Sequence, residues 1–313
     1  MKKLPVLMFY LFFLSACNSP AGDKKTVPDE KNTQNISRGK GQKLTEGKID
    51  IEITIPGTSL GEIFNSVDPA KGNVQNQLAD AVKRSGSKTQ SEFKILRDKN
   101  PMMLLNLALL PWKSRIFLKQ GKATVKFDAL TYHAENTIDE QSGSGTFFIC
   151  EPANKKQKIT FAYRKDELGE VGVQHQIKSE DYNIQKTNVI DNVAGFTCKK
   201  SIYTLKDKPT ANHPQLASNS LAIAKIEVWS SDQMPSPVNF LNPLYVNEKA
   251  GIMKLKVFYS GIEDMAVVYC FKTVEAIKVS PEEMEIQQSS PVYNFSKDAI
   301  KIGGQLMGIL FKF

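Results

Sequence analysis

The run Ile49-Asp50-Ile51-Glu52-Ile53-Thr54-Ile55 alternates apolar and polar residues until Pro56-Gly57 ends it. Strand side chains point to opposite faces in turn, so this pattern builds a strand with one buried face and does not fit a 3.6-residue helical repeat. Runs of the same character recur at 115–118, 123–127, 146–150, 158–163, 196–203, 224–229, 253–259 and 265–271. Lys119–Lys122 reads as a hairpin turn and Ser142–Gly145 as a loop. Many strands, short connections and few helices predict an α+β chain dominated by an antiparallel sheet.

Helical signals are fewer. Val74, Leu78, Ala81 and Val82 recur at i, i+4, i+7 and i+8, which predicts one amphipathic helix within 72–85, lying on a sheet face. Met102–Leu110, stopped by Pro111, is apolar on nearly every side. It is either a helix buried as core or the lining of an apolar cavity, and flexible methionines suit the second role. Toward the C-terminus Ala299, Ile302, Leu306 and Ile309 share a helical face, while Gly303-Gly304 weaken the helix and leave a strand or an apolar flap as alternatives. Candidate cavity-lining residues are therefore Met102, Met103, Leu105, Leu109, Ile302, Leu306 and Met307.

The N-terminus carries a different message. Met1-Lys2-Lys3 leads into an apolar stretch over Leu4–Leu14, the layout of an export signal. Eleven such residues at ~1.5 Å each cover only about half of a ~30 Å hydrocarbon core, so the segment is too short for a stable span. It ends Leu14-Ser15-Ala16-Cys17, which resembles the lipobox of bacterial lipoproteins. That resemblance implies cleavage after residue 16 and lipidation of Cys17. Two or three acyl chains exceed the threshold for stable anchoring, and Asn18 after the cysteine implies sorting to the outer membrane, with the periplasmic face preferred over the surface. Residues 17–47 hold few apolar side chains and cannot offset their ordering entropy, so they read as a tether reaching roughly 30 Å. The remainder, 48–313, reads as a single β-rich domain.

Composition and motifs exclude several classes. Loss of Lys2 and Lys3 with the signal lowers the formal net charge from +8 to +6, and the remaining cations are scattered, which argues against nucleic acid as a partner. His133, His175 and His213 stand apart in sequence with no metal-ligand spacing, so no metal and no cofactor is expected. Gly143-Ser144-Gly145 is no nucleophile elbow, and Gly41 to Lys48 lacks the spacing and hydroxyl of a phosphate loop. Carboxylates cluster at Asp166-Glu167 with Glu170, at Glu180-Asp181 and at Glu282-Glu283 with Glu285, but Ser280-Pro281-Glu282-Glu283 is already accounted for as a helix start. Cys150, Cys198 and Cys270 all fall in predicted strands. An oxidising envelope permits one bridge, Cys150 with Cys198, and buried thiols are the alternative.

Asn192-Val193-Ala194-Gly195-Phe196-Thr197-Cys198-Lys199-Lys200, followed by Ile226-Glu227-Val228-Trp229-Ser230-Ser231-Asp232-Gln233-Met234-Pro235, resembles the core signature of the GLPGLI family and its uncharacterised sister families of Bacteroidota. The resemblance is strongest over 190–260 and extends from Ile49. Where the GLPGLI motif itself belongs, this chain reads Leu241-Asn242-Pro243-Leu244-Tyr245, so it is more similar to the sister families, which are grouped with the LolA-like fold. That likeness implies a curved half-barrel sheet with helices on its concave face. In carriers of this shape the concavity holds acyl chains. The leading expectation is thus a non-enzymatic envelope lipoprotein binding lipid or an acyl chain in a cavity. The alternative is a structural or partner-binding outer-membrane module with no cavity, its protein partner open.

Overall fold

A computed structural model describes residues 41–311, apart from 154–155, 168–174, 207–222, 243 and 261–264. The alternating isoleucines form β1 (Glu46–Thr54). On one side of it lie, in chain order, β2 (Lys113–Lys119), β3 (Lys122–Asp128), β4 (His133–Asp139), β5 (Ser144–Cys150) and β6 (Lys158–Arg164). On its other side lie β13 (Ala266–Glu275), β12 (Gly251–Tyr259), β10 (Ile223–Ser231), β9 (Phe196–Leu205) and β8 (Tyr182–Val193). Short β14 (Val292–Asn294) pairs parallel with β6, and every other neighbour in this 12-stranded sheet is antiparallel. The sheet is open, with β14 and β8 at its edges. A small parallel pair, β7 (His175–Ile177) with β11 (Leu244–Val246), stands apart.

Two hairpins are closed by two-residue turns with positive φ at both central positions, Gln120-Gly121 and Ala194-Gly195. Such turns match the right-handed strand twist and fix register. Across β1–β6, Ile49, Ile116, Val125, Asn136, Phe147 and Phe161 stand opposite one another on one face. Asn136 is the polar member of this row, and it accepts from the Tyr163 hydroxyl at 2.6 Å. On the same face of β1, Ile53 continues through Tyr269, Leu255 and Val228 on β13, β12 and β10.

Three pieces cover that face. At one end, α1 (Leu60–Ser66), α3 (Ser87–Lys99) and α4 (Pro101–Leu109) bring Leu60, Phe64, Leu96, Met103 and Leu107 onto Ile53, Tyr269, Leu255 and Val228. Phe64 stacks on Trp112 at 5.1 Å, and the Trp112 indole donates to the Leu107 carbonyl at 2.7 Å. In the middle, the 3-10 turn Ser236–Leu241 lays Val238, Phe240 and Leu241 over Ile49, Ile116, Val125 and Ile138. At the far end, α6 (Phe295–Leu310) packs Phe295, Ile302, Leu306 and Ile309 on Phe147, Ile149, Ile159 and Phe161. The expected helix at 72–85 is α2 (Val74–Arg84), but it has no buried residue and leans on α1 and α3 rather than on the sheet.

The opposite face of β1–β6 is crossed by residues 276–291, which act as a strap. Val279 N donates to Glu46 at 2.8 Å and its carbonyl accepts from Lys119 at 2.6 Å. Lys48 pairs with Glu283 within α5 (Pro281–Met284), whose start carries the capping box predicted from Ser280 and Glu283. Thr124 donates to the Met284 carbonyl at 3.0 Å, and Thr160 accepts from Ser289 N at 2.7 Å. Residues 1–16 and most of the expected tether lie outside the described residues. The inner end of the stretch expected as a tether belongs to the folded body: Leu44 is buried, its N–H bonds Gln233 O at 2.8 Å, and β1 already begins at Glu46.

Leu107→Ala removes a fully buried side chain under Trp112 and is expected to cost about 2–5 kcal/mol in chemical denaturation. Met102→Ala, on the same helix but half exposed, should shift stability by less than about 0.5 kcal/mol.

Candidate functional site

The seven residues expected to line a cavity do not meet. Met103, Ile302 and Leu306 are core side chains, Leu105 and Leu109 are half-buried, and Met102 and Met307 are exposed. Those on α4 and α6 belong to separate clusters at opposite ends of the sheet, with the 3-10 turn filling the space between. Apolar all-round character marked helices whose inner sides are core, and it carried no information about which helices would be neighbours. The Cys150–Cys198 bridge is likewise absent: Cys150 ends β5, Cys198 lies on β9, and eight strand spacings separate them in the sheet. At ~4.8 Å per spacing that is roughly 40 Å along the sheet, against Cα distances under about 7 Å for a disulfide. Burial instead pushes the Cys198 thiol up to about 11, which makes it unreactive. Cys17 and His213 lie outside the described residues.

His133 is not isolated. The β3–β4 hairpin sets it opposite Asp128, whose carboxylate lies 2.8 Å from Nδ1, while Glu135, two residues along the same strand face, lies 3.1 Å from Nε2. Glu135 is buried and also accepts from the Gln287 backbone at 2.6 Å and side chain at 2.9 Å. Burial opposes charge on both groups. The two carboxylates outweigh it and raise His133 to about 9, and the imidazolium with the Gln287 donors holds Glu135 down to about 2. Both ring nitrogens therefore donate at neutral pH, which leaves neither as a general base or metal ligand. The cluster is a clasp fixing the strap to β4. Its partners at 128, 135 and 287 come together only through hairpin register and the strap, so sequence spacing could show the 133/135 pair alone.

A recess of about 410 Å³ opens on the strap side of β3–β6. Thr137, Thr146 and Ala162 stand in register along its floor. Lys122 and Asp139, 3.3 Å apart, form one rim, and Arg164, Glu167 and Ser296 form another. The rim carboxylates are engaged in local structure: Asp139 accepts from Gln141 N and Ser142 N, and Glu167 accepts from Arg164 N and the Ser296 hydroxyl. Hydroxyls beside compensated charges suit a polar, hydrogen-bonding group. Of the three carboxylate clusters seen in the sequence, Glu167 alone contributes to this recess, and Glu170 lies outside the described residues.

No family model matches the chain, and no curated protein matches it. Two solved structures of PNGF-II, in C2 and P21 space groups, align with TM-scores of 0.35 and 0.34 at 12% identity. Each alignment takes in 61% of this chain and 30% of the matched chain. Superposition that loose supports no statement about activity.

The clasp makes stability pH-dependent in a defined direction. A raised His133 contributes fully below its ordinary value of 6.5 and loses that contribution as pH rises through about 9. A lowered Glu135 contributes fully above 4.5 and loses it as pH falls toward about 2. Thermal unfolding from pH 4 to 10 should therefore show a decline in melting temperature between pH 6.5 and 9 that His133→Gln flattens. A wild-type profile level across that interval contradicts the clasp.

Proposed function

We propose that this chain is a non-enzymatic, membrane-anchored envelope lipoprotein whose folded body works through its outer surface, as a structural or partner-binding module. The filled inner face of the sheet carries this reading. Where an acyl-chain carrier needs volume between helices and sheet, α1, α3 and α4, the 3-10 turn and α6 place side chains on every strand from β10 to β6. An open, mostly antiparallel sheet with α1, α3, α4 and α6 on one face is compatible as architecture with the LolA-like likeness, without requiring the carrier function that goes with it. The lipobox-like Leu14-Ser15-Ala16-Cys17 supports anchoring through Cys17 in the outer membrane. The polar recess over Thr137 and Thr146 is the surface offered to a hydrogen-bonding ligand or partner group.

Two measurements test the two halves of this reading. Expressed in an export-competent bacterium, the Cys17→Ala chain should take up no labelled palmitate while its body unfolds at the same temperature as the parent. Palmitate uptake by the variant overturns the anchor. Native mass spectrometry of the purified chain should show polypeptide without a bound lipid in the body. A stoichiometric co-purifying lipid retained by Cys17→Ala restores the carrier reading instead.

A further inference from the structure

The buried side of α6 is explained by the sheet beneath it, and its outward side is not. Ile300 is 95% exposed, Met307 59% and Phe311 39%. At 3.6 residues per turn, positions 300, 304, 307 and 311 fall within about 60° of one another, so these three side chains form one stripe with Gly304 between them. Val292, 49% exposed on neighbouring β14, adds to the same end of the domain. A Cβ at Gly303 or Gly304 would meet nothing within 4 Å, so the domain's own packing does not ask for glycine there. Single exposed apolar residues are ordinary, but several large ones aligned along one side of a helix mark a contact surface.

Charge decides what that surface meets. The exposed charged residues of α6 are Lys297 at its start and Lys301 beside the stripe, with the Lys301 ammonium 4.7 Å over the Tyr293 ring. The acidic Asp298 is only partly exposed and is used locally, accepting from Asn294 N at 3.0 Å. Among the described residues of α6, a second copy of this face would bring no free carboxylate to the lysines. Anionic headgroups meet them directly, and the apolar stripe then enters the boundary between headgroups and acyl chains, as amphipathic interfacial helices do. No helix among the described residues is long and apolar enough to cross a membrane, which leaves α6 lying in the interface plane as the geometry available to it.

We propose that the outward face of α6 is a bilayer contact that lays Ile300, Met307 and Phe311 into the interface of an anionic membrane. This goes beyond lipid anchoring and does not depend on it, because the contact belongs to the folded body.

The test is amide hydrogen exchange of the full chain with vesicles of phosphatidylethanolamine and phosphatidylglycerol at 3:1. Exchange read peptide by peptide isolates α6 from any effect of the apolar N-terminus. Peptides over 295–311 should slow by about tenfold or more on vesicle addition. The I300E/M307E variant should lose that protection while its exchange without vesicles matches the parent, since both side chains are exposed. Unchanged exchange in α6 on vesicles overturns the proposal, as do equal protection in I300E/M307E and equal protection on pure phosphatidylcholine. Protection that appears without vesicles and grows with protein concentration overturns it in favour of self-association. Failure here leaves palmitate labelling at Cys17 untouched, so the two membrane contacts fail separately.

Discussion

The structure turns on the pairing of β1. This strand alone joins the β2–β6 side of the sheet to the β13–β8 side, and its partners are separated in sequence by about 150 residues. Its isoleucines set the register on both sides at once: a one-residue slip would send Ile49, Ile51 and Ile53 to the strap side and lift Glu46 and Lys48 off Val279 and Glu283. Two local features adapt the neighbour to it. Gly47 lies where any Cβ would overlap the Glu275 carbonyl, and β13 carries an extra residue at Lys272, so Thr273 faces Asp50 while Phe271 still faces Ile51. The bulge keeps β13's apolar face in phase despite the tight approach at Glu275. Because β13 arrives so late in the chain, the sheet completes only through long-range contacts, which places this fold among slow folders.

The strap answers a second constraint. Alternation leaves the far face of β1–β6 with Glu46, Thr124, Glu135 and Thr160, and each makes a hydrogen bond to residues 279–289 rather than to solvent alone. A segment with little regular structure of its own thus satisfies its backbone groups on side chains presented by successive strands. It ends by feeding β14 onto β6, which shortens the exposed edge to three residues. The other edge is managed differently. β8 is long and largely exposed, but between Lys186 and Ile190 its register slips, so three of its residues span the single position Lys200, a distortion that disfavours pairing with another strand.

What was legible in the sequence follows from this division of labour. The runs that bury one apolar face, such as 49–55 and 253–259, announced themselves, as did the Gln120-Gly121 turn and the capping box at Ser280. β4 did not, because its buried positions include Glu135 and Asn136, whose partners are Gln287 and Tyr163, residues 152 and 27 positions away. β8 was hidden by the opposite cause: an edge strand with almost no buried residue has no alternation to show. α3 was missed since only Thr89 and Leu96 of its thirteen residues are buried. Local pattern reports burial, and where burial is polar or slight the pattern has nothing to report. The candidate site was less legible than the fold for the same reason, since the floor of the recess is three small residues from three strands brought side by side by register alone.

The distribution of side chains over the remaining open sheet narrows how this domain can act. On the outer face of β9, β10 and β12, Lys200 and Lys254 lie 4.9 and 4.3 Å from the Trp229 ring, and Lys225 and Lys256 lie 4.1 and 5.0 Å from Phe258. Glu227 sits between them, 3.0 Å from Lys200 and 3.1 Å from Lys225. The lysine ammonium groups themselves sit over the rings, two of them also paired to Glu227, so this face presents cations in place of aromatic platforms and is poorly suited to stacking a flat ligand. With the inner face filled, the strap side bonded down and the outer aromatics capped, most of the large apolar side chains left exposed lie at α6 and β14 (Val292, Ile300, Met307, Phe311) and on the edge strand β8 (Ile184, Val189, Ile190), and apolar contact with a large partner falls to these two places. Binding elsewhere would have to proceed through hydrogen bonds and charge, which contribute more to selectivity than to raw affinity.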